Sequence, residues 1–307
     1  MSTAVGRNPN GRTSDRLDSV AVIVLVVCCA IWGINQVAIK IANSGISPVM
    51  HAGLRSFVSA CLVFVWARVR GVRLFERDGT LAGGVLCGVL FAGEFIVLYT
   101  GLDMTTASRG VLLLYLAPFV VAFGSHYLIP GDRLTPLKFG GLCAALAGLG
   151  VAMGEGFSAP GQPTLRGDVL CVLGAILWGA TTIVVRASRL RTAAPEKTLL
   201  YQLVASAVLL PAVSLALGEP GVHNLTPKVL AAFAYTSVVV AFVTYLAWFW
   251  LVRTYPPMRV SSFTFLTPVF GVVAGNVMLG EPLSPSLGVA LVMVAAGIYL
   301  VNRPASS

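Results

Sequence analysis

Ten runs of roughly twenty apolar residues follow one another along the chain, at about 19–41, 48–67, 80–101, 104–127, 135–154, 168–186, 198–217, 227–252, 257–279 and 284–302. No other feature limits the fold as tightly. An α-helix rises about 1.5 Å per residue, so about 20 residues cross the roughly 30 Å hydrocarbon core of a bilayer. A backbone in lipid must satisfy its own N–H and C=O groups, and a helix does so within one segment. The balance of side chains agrees: 57% of the 307 residues are hydrophobic and 11% charged, with a mean hydropathy of +0.86, against about 45–50% and about 25% in soluble chains. The expected fold is an all-α membrane protein of ten transmembrane helices, which excludes a soluble enzyme held by one anchor. Turn-forming punctuation such as Pro130-Gly131-Asp132 and Gly218-Glu219-Pro220-Gly221 separates the runs, so consecutive helices are expected to pack as antiparallel neighbours.

Residues 1–18 carry Arg7, Arg12 and Arg16 among Ser, Asn and Gly, and read as a solvated tail. The run that follows is longer than the apolar core of a signal peptide and lacks a convincing cleavage site, so it is expected to remain as the first helix. The longest connection, 155–167, is rich in Gly, Pro and polar residues and falls after the fifth run. It divides the chain into a five-helix repeat at 19–154 and a second at 168–302, followed by a short tail at 303–307. Ile31-Trp32-Gly33 recurs as Leu177-Trp178-Gly179, Pro48 as Pro195, Leu116-Ala117-Pro118 as Leu266-Thr267-Pro268, and Gly131-Asp132-x-Leu134 as Gly280-Glu281-x-Leu283, at offsets of 146 to 150. Five is odd, so the second copy enters the membrane from the opposite side and the repeats are inverted. Two such copies can exchange conformations, and substrate sites in folds of this kind lie near the midplane at the repeat interface.

Placing the N-terminus inside puts fourteen Lys and Arg in the inner segments and two, Arg166 and Lys228, in the outer ones. That bias predicts both termini in the cytoplasm, with the chain spanning a bacterial inner membrane. It also accounts for the net charge of +9 without a nucleic-acid partner. The cysteines, Cys28, Cys29, Cys61, Cys87, Cys143 and Cys171, lie in apolar runs without a C-x-x-C pair and read as reduced packing residues. His51, His126 and His223 are scattered, so no metal-ligand spacing is present and no cofactor is expected. No G-x-x-x-x-G-K-[ST] loop occurs, so any energy for work must come from gradients.

Pro118 and Pro268 fall well inside the fourth and ninth runs. Each removes a backbone hydrogen bond and crowds the carbonyl four residues earlier, and their repeat-related placement marks them as hinges. Glycines spaced by four, such as Gly84 with Gly88 and Gly271 with Gly275, permit close helix approach. The ten runs in two halves, the paired Trp-Gly of the first and sixth, Leu-x-Pro in the fourth and ninth, and Gly280-Glu281-x-Leu283-Ser284 before the last together resemble the EamA-type branch of the drug/metabolite transporter superfamily, over about 19–302. The resemblance implies a bundle whose central cavity is lined chiefly by helices 1, 3, 4, 6, 8 and 9, with 5 and 10 peripheral. Bacterial members resembling this chain commonly export amino acids and related metabolites, and it looks most like the aromatic amino-acid exporters.

A charge at mid-membrane costs at least about 2.5–3.5 kcal/mol on insertion scales, so it usually faces a cavity. Glu94, flanked by Phe91, Phe95 and Tyr99 in the third run, is the leading candidate. Its carboxylate suits a proton carrier, a receptor for a substrate ammonium group, or a structural partner of an Arg or a helix end. Arg55 and Arg109, nearer the ends of their runs, are expected to snorkel outward. Trp32, Asn35 and Gln36 share one face of the first helix, and Trp178, Thr181 and Thr182 the matching face of the sixth; these polar groups either bind a zwitterion or join neighbouring helices. Tyr245 and Trp248 of the eighth run, with Tyr115 and Phe265 from the broken helices, are candidates for an aromatic-lined cavity. Lys40 and Arg186 are repeat-equivalent and fall at opposite surfaces as gates or anchors.

These residues predict a secondary transporter that exports amino acids, aromatic and other neutral ones, by rocking of its halves. Its partners are small amino-acid substrates and the lipid bilayer, and a monomer suffices. A lipid-linked-sugar flippase, or a transporter of sugar nucleotides or other metabolites on the same scaffold, is the alternative, which the scarcity of mid-span cations disfavours. An intramembrane enzyme would need a nucleophile with a base, paired intramembrane aspartates or a helical H-E-x-x-H, and the sequence offers none.

Overall fold

The computed structural model describes residues 18–128, 135–154, 165–255 and 263–301. The expected N-terminal tail, the Gly131-Asp132 turn, most of the linker and the C-terminal tail lie outside the described residues. Within them the chain forms α1 (Ser19–Asn43), α2 (Pro48–Val69), α3 (Leu81–Met104), α4 (Ala107–Leu114), α5 (Ala117–Leu128), α6 (Pro136–Gly154), α7 (Leu165–Ala187), α8 (Pro195–Ala216) and α9 (Pro227–Ala234). A π-helical segment, Tyr235–Thr244, joins α9 to α10 (Tyr245–Thr254), and α11 (Leu266–Leu279) and α12 (Pro285–Val301) complete the bundle. Among the described residues, seven helical segments are long and apolar enough to cross a membrane, with α4 and α5 counted as one and α9 running on into α10 as another.

Local chemistry sets the helix starts. Pro48, Pro136, Pro195, Pro227 and Pro285 open their helices, where a missing N–H costs nothing. Asp18 caps α1 by accepting from the Ala21 N–H at 2.8 Å, and Thr106 caps α4 by accepting from the Arg109 N–H at 3.2 Å. α7 begins at Leu165, three residues earlier than the sequence suggested. The break expected around Pro118 is present: α4 stops at Leu114, Tyr115 and Leu116 form a turn, and Pro118 is the second residue of α5. Pro268 likewise lies in the first turn of its helix, as the third residue of α11 after a 3-10 turn at Phe263–Phe265. A proline in the first turn of a helix leaves the hydrogen-bond ladder intact, so both prolines open a new helical segment.

Packing corrects the expectation that consecutive helices are the main neighbours. α1 barely touches α2, and the extensive interfaces instead join α6 to α12, α3 to α7, α2 to α8 and α1 to α11. Further interfaces set α7 on α4 and α5, α1 on the segment from α9 to α10, α3 on α8, and α2 on the π segment. The sequence offsets map these contacts onto one another in pairs. Gly33 makes the point at atomic scale: a Cβ there would stand 2.7 Å from Phe270 Cβ and 2.7 Å from the Gly271 nitrogen, while one on Gly179 would stand 2.6 Å from Val120 Cβ. An offset of 150 carries Val120 to Phe270, so both Trp-Gly pairs use a missing side chain to admit the equivalent neighbour.

The distribution of polarity is inverted relative to a soluble domain. Ile23, Phe57, Val65, Leu86 and Val208 face outward, whereas Gln36, Asn43, His51, Arg55, Glu94, Arg109 and Asp168 are buried. In lipid the outer shell must be apolar, and polar side chains are retained where they meet one another.

Candidate substrate site in the helical interior

Arg55 lies seven residues past Pro48, about 10 Å along α2, and is 4% exposed. It does not snorkel. Its Nε donates to the Thr236 carbonyl at 3.1 Å, its Nη1 donates to the Tyr99 hydroxyl at 2.9 Å, and the guanidinium sits 4.7 Å from the Phe95 ring centroid. A cation removed from water persists where acceptors and a π face replace hydration. Thr236 belongs to the π segment, and Ser59 donates to the next carbonyl, Ser237, at 2.9 Å. π geometry is rare and recurs at functional positions in helices.

His51 extends the network. Its Nδ1 pairs with Asn43 Oδ1 at 2.9 Å and its Nε2 with Thr236 Oγ1 at 3.3 Å, and the ring packs edge-on to Tyr99 with centroids 5.1 Å apart. Four elements, α1, α2, α3 and the π segment, are thereby tied through polar contacts. Sequence reasoning passed over Asn43 and His51 because polar residues near helix ends resemble caps.

Glu94 is buried at 4% exposure on α3, and its Oε2 has no hydrogen-bond partner among the described residues. Arg55 and Glu94 act on each other electrostatically, yet no ion pair joins them. Tyr99 and Tyr245 lie in the same field, and Phe91, Phe95 and Tyr99 stack in sequence with centroids 4.3 and 5.4 Å apart. Glu94, Tyr99 and Tyr245 are therefore brought together, with Arg55 as the residue that was missed.

A second group adjoins it. Trp32 Nε1 donates to Thr244 Oγ1 at 2.8 Å and packs edge-on against Trp248 at 5.3 Å. The amide oxygens of Asn35 and Gln36, on the same helix, are buried without partners among the described residues. Tyr115, at the break between α4 and α5, meets Trp178 edge-on at 5.9 Å. Thr182 and Thr181 instead donate to carbonyls of their own helix, Trp178 at 3.1 Å and Leu177 at 2.9 Å, so these hydroxyls neither join helices nor stand as free donors. The Phe265 side chain lies outside the described residues.

Structural ion pairs mark the ends of the bundle. Arg109 is buried against Asp168 through Nη2 and through Nε at 3.2 Å, and Thr105 Oγ1 donates to the same carboxylate at 2.6 Å; the snorkelling expectation for Arg109 is corrected as well. Lys40 donates to the carbonyls of Leu102 at 2.7 Å and Thr105 at 2.5 Å, which anchors the end of α3. Glu281 accepts from the N–H groups of Ala107 at 2.6 Å and Ser108 at 2.9 Å, and so caps α4. At the opposite end Lys197 donates to Asp78 at 2.9 Å and to the Glu76 carbonyl at 3.1 Å. Hydrogen bonds from Lys197 and Thr80 hold the Asp78 carboxyl well below the usual carboxylate range. Two shallow cavities, of about 470 and about 270 Å³, lie along the C-terminal end of α2, and neither includes Glu94 or Arg55.

The EamA-like transporter family model matches residues 19–154 and 165–303. The chain belongs to the EamA-like transporter family. This EamA-like transporter is 26% identical over 283 residues to the "Uncharacterized transporter YvbV" of Bacillus subtilis, covering 91% of this chain and 90% of that protein. It is 25% identical over 280 residues to the "Uncharacterized inner membrane transporter YedA" of Escherichia coli K12, covering 88% and 89%. It is 27% identical over 298 residues to the "Probable amino-acid metabolite efflux pump" of Salmonella typhimurium, covering 93% and 94%. A solved crystal structure superposes on it with a TM-score of 0.65 at 19% identity, covering 92% of this chain and 96% of that one, a likeness of fold. The EamA-like transporter is thus a multi-pass membrane protein with bacterial inner-membrane relatives.

Proposed function

We propose that this EamA-like transporter exports neutral amino acids, aromatic ones among them, across a bacterial inner membrane by alternating access. In this reading ten helices form two inverted repeats, 19–154 and 168–302, joined by the linker 155–167, with the tails 1–18 and 303–307 in the cytoplasm and Pro118 and Pro268 as hinges. The exchanged pairs of helix interfaces and the matched contacts of Gly33 and Gly179 support the inverted arrangement. The observation that carries the substrate reading is Glu94, a buried carboxylate with an unpartnered oxygen beside Phe91, Phe95 and Tyr99, in a chain similar to a probable amino-acid metabolite efflux pump. Candidate contacts are Trp32, Asn35, Gln36, Glu94, Tyr99, Tyr115, Trp178, Thr182, Tyr245 and Trp248. A phosphate-bearing cargo fits less well, because Arg109 is already paired with Asp168 and Arg55 alone does not make a cluster of cations.

The test is uptake of labelled tryptophan, phenylalanine and threonine into proteoliposomes, with and without a pH gradient. Saturable flux of at least one is expected. No flux of any amino acid refutes the substrate class.

A further inference from the structure

We infer that Arg55 and Glu94 are the two poles of a site for a zwitterion, Arg55 receiving the substrate carboxylate and Glu94 the ammonium group. The inference rests on the amino-acid reading above and assigns its specificity to a pair of charges on α2 and α3.

Three observations carry it. First, both charges are buried, each at 4% exposure, and each lacks a charged partner in contact among the described residues. Elsewhere in this bundle buried charges are satisfied by direct contacts: Arg109 closes on Asp168, Lys197 on Asp78, and Glu281 on the Ala107 and Ser108 N–H groups. Arg55 and Glu94 act on one another electrostatically, but remain outside the 4.0 Å that defines an ion pair. Opposite charges held near each other without contact present two poles that a molecule carrying both charges complements.

Second, the unused hydrogen-bonding capacity is of the right kind at each pole. A guanidinium has five N–H donors; Arg55 directs one from Nε to the Thr236 carbonyl and one from Nη1 to the Tyr99 hydroxyl. Its remaining donors form the fork that matches a carboxylate. Glu94 Oε2 is sealed from solvent with no hydrogen-bond donor among the described residues, and an ammonium group supplies three.

Third, the pole on α2 is fixed from three sides. The Thr236 carbonyl, the Tyr99 hydroxyl and the Phe95 ring each hold the guanidinium, and His51 braces Thr236 and Tyr99 in turn. Two of those partners, Phe95 and Tyr99, share α3 with Glu94, so one helix sets the spacing of the poles.

The experiment is equilibrium binding to the purified full chain in dodecyl maltoside, using three probes of one shape: L-phenylalanine, L-phenylalaninamide, which lacks the carboxylate, and 3-phenylpropionate, which lacks the ammonium. Wild type is expected to bind each analogue about tenfold or more weakly than phenylalanine, since a hydrogen bond to a charged group is lost in each. Glu94→Gln, nearly isosteric, is expected to weaken phenylalanine by about tenfold while leaving 3-phenylpropionate unchanged, so that the two become alike. Arg55→Gln is expected to do the converse, equalising phenylalanine with its amide. Unchanged ratios in Glu94→Gln overturn the inference even if Arg55→Gln does not fold. Phenylalanine flux that loses only its response to pH in Glu94→Gln overturns it too, because Glu94 is then a proton carrier. No binding or flux of phenylalanine in wild type overturns the exporter reading and this inference together.

Discussion

Breaking the Arg109–Asp168 pair separates direct matching of charges from mere proximity. The Asp168 side chain is 0% exposed and that of Arg109 6%, so removal of either partner strands the other away from water. Truncating one side of a buried pair typically costs about 3–5 kcal/mol. The two sides are not equivalent. An arginine does not deprotonate, whereas an abandoned carboxylate can take up a proton and become neutral. Asp168→Leu is therefore expected at the upper end of that range and Arg109→Met at the lower. With both replaced no charge is stranded, and the residual cost is that of the Thr105 hydroxyl, which loses its 2.6 Å acceptor, about 1–3 kcal/mol. Apolar replacement of a whole buried pair is itself often neutral or favourable. The double variant should thus be more stable than Asp168→Leu alone, with a coupling energy above about 3 kcal/mol. Reversible unfolding in mixed dodecyl sulfate micelles, followed by far-ultraviolet circular dichroism, measures all four proteins. Additive losses, or single variants each below about 1 kcal/mol, the range of exposed pairs, would refute the reasoning.

Three further expectations follow from the same contacts. Gly33→Ala forces a Cβ to within 2.7 Å of the Gly271 backbone nitrogen and should destabilise by about 1–3 kcal/mol, while Gly140→Ala, with nothing within 4 Å, should be neutral in the same unfolding assay. Glu281→Ala removes the acceptor for the Ala107 and Ser108 N–H groups and the Ser108 hydroxyl; the α4 start should fray, read as faster amide exchange there with α8 unaffected. Asp78→Asn should loosen the 72–80 segment and speed tryptic cleavage at Arg73 and Arg77. Because the native carboxyl of Asp78 is held below its ordinary range, its stabilisation is complete above about pH 4 and fades as pH falls through the native value. The melting difference between wild type and Asp78→Asn should therefore be flat from pH 8 to about pH 5 and shrink in stronger acid.

Much of the frame was legible because hydropathy and proline positions act locally. The helix starts at Pro48, Pro195 and Pro227 and the break before Pro118 follow from one residue's missing N–H. The neighbours were not legible: α3 packs on α7 and α2 on α8, partners more than sixty residues apart along the chain. Loop length says nothing of such pairings. Arg55 was misread because seven residues from a helix start resembles snorkelling distance, and only the fold shows that α3 and the π segment cover it. The π segment itself, ten residues without a Gly or Pro, carries no local signal. Glu281 was noted only as part of a motif, and its role as the cap of α4 emerges from a contact across 174 residues.

The central claim, amino-acid export through this interior, is tested most directly in cells. A bacterium expressing the chain is loaded with a phenylalanine-containing dipeptide, whose hydrolysis raises internal phenylalanine, and the appearance of free phenylalanine outside is timed. The account predicts faster efflux than from cells carrying an empty vector, and a return to the vector rate for Glu94→Gln at equal abundance in the membrane. Efflux no faster than the vector control, with the wild-type chain demonstrably in the membrane, would contradict it.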